Sequence, residues 1–107
     1  MESAIDYLEI EATLASRSLV LLYCSQPSCS VCKSLLSKVE DLMKGYSKVS
    51  CLYVDLNEIT EFAGQHTVFS MPTVLFFADG KEQFRLVRAF GLNELKEKIY
   101  RIYKHFK

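Results

Sequence analysis

The sequence predicts an α/β fold, in which helices flank a mixed β-sheet, and three observations lead to this prediction. Patterns typical of buried strands and of amphipathic helices alternate along most of the 107 residues. The strand patterns are largely continuous apolar runs, which are typical of sheets covered on both faces. Near the end, Asp79-Gly80 separates two strand patterns and favours a two-residue hairpin turn. Helix-linked parallel strands, a closing hairpin and a last helix are therefore expected.

The first predicted helix covers about residues 7–15. Asp6 is its expected N-terminal cap because Glu9 follows three residues later, as in a capping box. A short strand at Ala4-Ile5 is expected before it. The residues expected on its buried face include Ile5, Leu8 and Leu14.

A run of apolar and aromatic residues, Leu19–Cys24, has the length of a buried strand. Pro27 ends this pattern because proline cannot continue a central strand. A helix then follows from about residue 29 to residue 44, with Gly45 as its C-terminal cap. Its apolar residues have the spacing of an amphipathic helix: Val31, Leu35, Val39, Leu42 and Met43.

Two further strands are predicted in the second half of the chain, at Val49–Asp55 and at residues 73–77. A short helix over about residues 58–63 lies between them. Asn57 and Gly64 are its expected caps.

After the Asp79-Gly80 turn, an antiparallel strand is predicted over residues 83–88, and Gly91 ends it. Asn93 is the expected N-terminal cap of the last helix. The apolar stripe of this helix consists of Leu95, Ile99, Ile102 and Phe106.

The composition indicates one compact domain, residues 1–107, in which half of the chain is apolar. Thirteen basic and thirteen acidic residues cancel, so no overall charge attracts nucleic acid or an anionic membrane. No apolar run approaches the ~20 residues of a membrane span, and the acidic N-terminus lacks the features of a secretory signal. These features predict a cytoplasmic protein that binds neither nucleic acid nor membranes. In that compartment, cysteines indicate redox chemistry or metal binding rather than a disulfide scaffold.

Cys29 and Cys32 form a Cys-x-x-Cys pair at the predicted start of a helix. The first turn of a helix has unpaired N–H groups and a partial positive charge, which favour a thiolate. Cys32 follows nearly one turn later and can close a small ring onto Cys29. Because thiol–disulfide exchange needs an activated thiolate and a second thiol that resolves the mixed disulfide, Cys29 is the expected nucleophile and Cys32 the resolving thiol.

The cysteines also allow two metal-binding interpretations. A Cys-x-x-Cys pair is half of many zinc sites, but the other two cysteines, Cys24 and Cys51, are isolated within strands. Cys24, Cys29 and Cys32 also have the C-x₄-C-x₂-C spacing of plant-type iron–sulfur proteins. Cys51 would then be the fourth ligand. Because Cys24 is fixed within a strand, we expect neither a metal nor another cofactor, and we interpret Cys51 as a small buried hydrophobe.

The remaining residue types of chemical interest have structural interpretations. His66 and His105 have no partner at the spacing of metal ligands or of a catalytic dyad, and are interpreted as surface residues. The aromatic residues at strand spacing are interpreted as core: Tyr53, Phe76, Phe77 and Phe84.

The chain resembles the thioredoxin superfamily over essentially its whole length. The resemblance rests on the strand leading to Cys29-Ser30-Val31-Cys32-Lys33 and on four later segments: Val54-Asp55, Ser70-Met71-Pro72-Thr73-Val74, Asp79-Gly80 and Gly91. It implies the thioredoxin fold, a cis peptide bond before Pro72, and pairing of the Met71 backbone with an extended substrate segment. The substrate-binding residues that it implies are Ser28, Met71, Pro72 and Gly91.

Several residues depart from the family pattern. Ser28 replaces the tryptophan that usually precedes the first cysteine, and Ser30-Val31 replace Gly-Pro. Tyr23 stands in place of a buried acid, and Cys51 in place of the lysine near that acid. Because both charged partners are absent together, no single buried charge is left unpaired.

The resemblance implies a thiol–disulfide oxidoreductase, an enzyme that reduces protein disulfides with the Cys29-Cys32 dithiol. Its expected partners are protein disulfide substrates and an electron donor, either a reductase or a low-molecular-weight thiol. It implies no bound cofactor. The alternative from another class is a non-catalytic thioredoxin-fold interaction module, which the missing tryptophan at Ser28 motivates.

Overall fold

The computed structural model describes residues 1–88 and 90–106, and within them the chain forms five strands and four helices. The strands are β1 (Glu2–Ser3), β2 (Leu19–Ser25), β3 (Val49–Asp55), β4 (Thr73–Ala78) and β5 (Lys81–Val87). The helices are α1 (Tyr7–Ser16), α2 (Ser30–Met43), α3 (Thr60–His66) and α4 (Leu92–Tyr103). The predicted α/β arrangement is confirmed.

The five strands form one mixed sheet in the order β1-β3-β2-β4-β5. The central strand β2 runs parallel to β3 and antiparallel to β4. β1 is parallel to β3, and β5 is antiparallel to β4. The parallel connections require the crossovers that α1 and α2 supply, whereas β4 and β5 are joined by the tight turn at Asp79-Gly80.

Alternate residues of the sheet face two separate apolar cores. Leu22 and Cys24 face the core that includes Ile10 of α1 and Phe62 of α3. Tyr23, between them, faces the core that α2 and α4 cover with Val39, Met43, Leu95 and Ile99. Because helices cover both faces, every residue of β2 and β4 is buried, which explains their continuous apolar sequences.

The predicted hairpin turn is confirmed. Asp79 and Gly80 both have positive φ, 50° and 81°, as a type I′ turn requires at its two central positions. β5 begins immediately after the turn, two residues earlier than predicted, and ends at Val87.

At the N-terminus, the prediction for α1 needs correction. The Asp6 cap is confirmed, since its side chain accepts from the Glu9 N–H. However, Ile5 and Leu8 are 79% and 76% exposed, and the buried residues of α1 are Ile10 and Leu14. The short strand lies at Glu2–Ser3 rather than at Ala4-Ile5. In α2, Val31 is likewise exposed rather than part of the buried stripe.

The caps of α3 and α4 also differ from the predictions. Ile59, not Asn57, occupies the N-cap position of α3, and Gly64 lies inside the helix, which ends with Thr67 in the left-handed conformation. Gly91, not Asn93, is the N-cap residue of α4.

None of the helices within the described residues combines the length and apolar character that crossing a membrane requires.

Candidate active site

The cysteine pair lies where β2 passes into α2. The turn between the two elements is closed by the Cys29 N–H, which donates to the Gln26 carbonyl at 3.1 Å. Cys29 is the N-cap residue of α2, and it is bonded to Cys32 in a disulfide with a Cα–Cα distance of 5.3 Å. The predicted position of the pair at the start of a helix is confirmed.

The two cysteines differ in their access to solvent. Cys32 is 1% exposed, whereas Cys29 is only partly buried. The Cys32 N–H donates to the Cys29 sulfur at 3.2 Å. This N–H belongs to the first turn of α2, where backbone donors lack helical partners, so it is available to a thiolate on Cys29 in the reduced protein.

Met71 and Pro72 lie at the same end of the sheet as the cysteine pair. Cys24 pairs with Thr73, so the chain leaving β2 towards Cys29 runs beside the chain that enters β4 through Pro72. The Met71–Pro72 peptide bond is cis. Met71 and Cys29 both pack against the core covered by α2 and α4.

The other two expected substrate-binding residues have different settings. Ser28 is exposed in the turn directly before Cys29. Gly91 is exposed at the start of α4, where its carbonyl accepts from the Leu95 N–H at 3.2 Å. No hydrogen bond joins Gly91 to Pro72 within the described part of the chain.

Arg88 is the residue that bonds to Pro72. Its N–H donates to the Pro72 carbonyl at 2.8 Å, directly after the end of β5. Its φ is 61°, a left-handed conformation that few residues other than glycine adopt. The sequence does not mark Arg88, because an arginine after a strand carries no local signal for positive φ.

Tyr23 lies directly beneath the start of α2. Its buried hydroxyl donates to the Cys32 carbonyl at 2.5 Å, and its ring stacks with that of Tyr53 at a centroid distance of 6.2 Å. Burial raises the pKa of Tyr23 to about 12. The phenol is therefore a neutral donor near pH 7 and does not act as a base towards Cys32.

A cavity of about 310 Å³ borders Cys32 on the side of Tyr53. Its walls include Ser25, Pro27 and Leu36. Lys33, which follows Cys32, also lines it and supplies an exposed positive charge. The second cysteine is thus covered by protein but lies next to an opening towards solvent.

The remaining cysteines are free and lie apart from each other. Cys24 faces the core of α1 and α3, on the opposite side of the sheet from Cys32. Burial raises the pKa of Cys24 and raises that of Cys51 to about 11. Across residues 1–88 and 90–106, no group of three or more His, Cys, Asp or Glu residues is arranged to hold a metal ion.

His66 is not the plain surface residue that the sequence suggested. Its ring stacks on Phe62 at 4.4 Å between centroids and lies 3.3 Å from a Glu11 carboxylate oxygen. At the end of α3, it also meets the ring of Tyr7 in α1 edge-on, and it lies beside Phe62 and Phe77 on the other face of the sheet from the disulfide. His66 therefore takes no part in the site.

Comparisons with known proteins agree with this geometry. The family model described as Thioredoxin matches residues 6–101. The thioredoxin-like protein YdfQ of Bacillus subtilis is 27% identical over 97 residues, which make up 91% of this chain and 87% of that protein. Thioredoxin-2 of Saccharomyces cerevisiae is 33% identical over 82 residues, 76% of this chain and 79% of that protein.

Solved structures show the same likeness. The X-ray structure of Fasciola hepatica thioredoxin has a TM-score of 0.83 and 30% sequence identity, covering 94% of this chain and 98% of that one. Some plant relatives are longer. The chain spans about half of their length, 47% of the putative thioredoxin H10 of Arabidopsis thaliana and 52% of a chloroplastic M-type protein of Pisum sativum.

Proposed function

This chain belongs to the thioredoxin family and is a thiol–disulfide oxidoreductase, and we propose that it works as a protein-disulfide reductase with Cys29 as the nucleophile. The family match covers residues 6–101 and includes both active-site cysteines. The proposal assigns the direction of the reaction and the separate roles of the two cysteines.

In the proposed reaction, the Cys29 thiolate attacks one sulfur of a substrate disulfide. A bond forms between Cys29 and that sulfur, and the other substrate sulfur leaves as a thiolate that takes a proton from water. The Cys32 thiol then loses its proton to solvent and attacks Cys29, which releases the second substrate thiol. Two electrons pass to the substrate, and the protein is left with the Cys29–Cys32 disulfide.

The unequal exposure of the two cysteines is the observation that supports this order. A folded protein substrate can approach Cys29, which is partly exposed and receives a helix N–H, but not the covered sulfur of Cys32. Cys32 remains within bonding distance of Cys29 and can act only on a disulfide that Cys29 has already formed. The cavity beside Cys32 gives its proton a route to solvent.

Substrate binding is proposed for the surface around Met71 and Pro72. Met71 precedes β4 with its backbone outside the sheet ladder, which leaves that backbone free to pair with an extended segment. Ser28 and Gly91 would border this surface. Exposed Val31 and Phe69 add apolar area, 68% and 74% exposed respectively.

The electrons that regenerate the dithiol are proposed to come from a reductase or a low-molecular-weight thiol. No bound cofactor is required, because every bond made or broken in the exchange joins two sulfur atoms or a sulfur and a proton.

We further propose a single domain acting in a reducing compartment such as the cytoplasm. The two free cysteines in its strands fit such a setting.

Reduction of insulin disulfides by dithiothreitol, followed as turbidity, tests the proposal. We expect the protein to accelerate precipitation and Cys29→Ser to abolish the acceleration. Cys51→Ser is the matched control and should keep it, because Cys51 lies outside the exchange. If the wild-type protein gives no more than the rate of dithiothreitol alone, the reductase proposal fails and a non-catalytic interaction module is favoured.

A further inference from the structure

Arg88 joins the candidate substrate surface through its backbone. β5 ends at Val87, which pairs with Thr73, and the next N–H, that of Arg88, donates to the Pro72 carbonyl at 2.8 Å. The backbone of Arg88 is thus hydrogen-bonded directly to the Met71–Pro72 segment. Arg88 is exposed, and it follows β5 at the end of the sheet where the cysteine pair follows β2.

The backbone of Arg88 is held in an unfavourable conformation. A φ of 61° costs free energy in any residue with a β-carbon, and glycine would adopt it more readily. Strained backbone of this kind occurs preferentially at functional sites. The presence of a long cationic side chain at such a position therefore calls for an explanation beyond the turn itself.

The guanidinium of Arg88 has no carboxylate partner within the part of the chain that the structure describes. The ion pairs found there join other groups, and Arg85, three residues earlier, is paired with Glu82 at 2.7 Å. Arg88 is also exposed. With Lys33 beside Cys32, the site therefore presents two exposed cations, one directly after β5 and one on α2.

We propose that Arg88 gives the reductase a preference for disulfides that carry a carboxylate close to the bonded cysteine. The proposal rests on the function proposed above. A guanidinium binds a carboxylate through two parallel hydrogen bonds and stays charged at every pH of interest. The carboxylate can come from an acidic side chain of a protein or from a small peptide disulfide such as oxidised glutathione.

Single-turnover reduction of two matched peptides tests this preference. Each peptide contains one internal disulfide, and they differ only in Glu or Gln beside a cysteine. Reduced protein is mixed with each peptide, quenched with acid and analysed by mass spectrometry. We expect the wild-type protein to reduce the Glu peptide roughly two- to fivefold faster, the range of a solvent-exposed ion pair. About 0.5 M NaCl should remove the preference.

Three variants isolate the charge of Arg88. Arg88→Asn removes the charge with a residue that tolerates positive φ, and should bring the ratio of the two rates to about one. Arg88→Lys should keep a reduced preference. Lys81→Asn removes the same charge at the opposite end of β5 and should leave the ratio unchanged.

Oxidised glutathione and its neutral ethyl ester form the second arm. A preference for the charged member in the peptide pair, the glutathione pair or both supports the proposal and identifies the source of the carboxylate. Equal rates in both pairs with the wild-type protein overturn it, as does a preference that survives Arg88→Asn. If the wild-type protein reduces neither the Gln peptide nor the Glu peptide, the proposed reductase function itself fails.

Discussion

At the scale of single residues, the two active-site cysteines have the same side chain, and it is their surroundings that make them differ. Cys29 lies before the first helical residue and Cys32 lies within the first turn, where the sheet and Tyr23 cover it. The position at the start of a helix could be predicted because it depends on a local change of periodicity. The contact with Tyr23 could not, since nothing in the sequence says where its hydroxyl points.

Tyr23 makes a testable contribution to stability through that hydroxyl. Tyr23→Phe keeps the ring and removes the hydrogen bond to the Cys32 carbonyl, so we expect a loss of about 1 kcal/mol in the free energy of unfolding. Urea unfolding of the oxidised protein would measure it. Tyr53→Phe is the matched control, because no hydrogen bond of the Tyr53 hydroxyl is found among the described residues. Equal losses in the two variants would contradict the role assigned to the Tyr23 hydroxyl.

Three weakly acidic groups, two of them buried and Cys51 partly buried, predict that the protein loses stability at alkaline pH. Burial raises the pKa of Cys24, and raises those of Cys51 and Tyr23 to about 11 and about 12. In the unfolded chain these groups release protons at lower pH, about 8.5 for thiols and 10 for tyrosine. Their contribution is therefore complete below about pH 8.5 and is lost as the pH rises through the folded pKa values.

We expect the free energy of unfolding, measured in urea, to fall steadily between about pH 9 and pH 11. Tyr23→Phe should show a shallower fall above about pH 10, because it lacks the phenol that the folded state keeps protonated. A stability that is constant or rises over this range would show that these groups ionise as easily in the folded protein as in the unfolded chain.

At the scale of elements, α3 shows how a distant side chain sets a helix end. The sequence suggested that the helix would end at Gly64, but it continues to His66. Arg85 of β5 donates to the carbonyls of His66 and Thr67, each at 2.9 Å, which satisfies acceptors that the helix end leaves free. Because Arg85 is 18 residues beyond Thr67, local cap rules could not reveal this.

Replacing Arg85 tests this anchoring of α3. Arg85→Gln removes the guanidinium, and we expect a loss of about 1.5–3 kcal/mol in the free energy of unfolding, as for hydrogen bonds from a charged donor. Hydrogen exchange of the α3 amides should accelerate more than that of β2. Glu82→Gln, which removes only the partner of the surface ion pair, is the control and should cost less than 1 kcal/mol. A larger loss for Glu82→Gln would assign the effect to the ion pair instead.

At the same scale, some apolar residues that fit a helical spacing are exposed, which shows that the spacing alone does not predict burial. Ile5 and Leu8 fit the apolar pattern of α1, yet both are exposed, Ile5 just before the N-cap residue and Leu8 in the first turn. Val31 fits the stripe of α2 but lies in the first turn, between the two cysteines, where no element packs against it. The pattern identifies the helix face, whereas the reach of the neighbouring elements decides which turns of that face are buried.

At the scale of the whole molecule, the two faces of the sheet decide which cysteines can meet. The spacing of Cys24, Cys29 and Cys32 fits an iron–sulfur pattern along the chain, but Cys24 and Cys32 face opposite sides of the sheet. The fold class could be predicted because alternating strand and helix patterns leave few arrangements. The approach of Arg88 to Pro72 could not, since it depends on where β5 ends relative to β4.

The central claim is that Cys29 attacks the substrate and Cys32 releases it. The most direct test mixes reduced Cys32→Ser with a disulfide-containing protein and maps the adduct by mass spectrometry. We predict a stable mixed disulfide at Cys29, because the resolving thiol is absent, and no adduct in Cys29→Ser. An adduct at Cys24 or Cys51 instead, or no adduct at all with Cys32→Ser, would contradict the account.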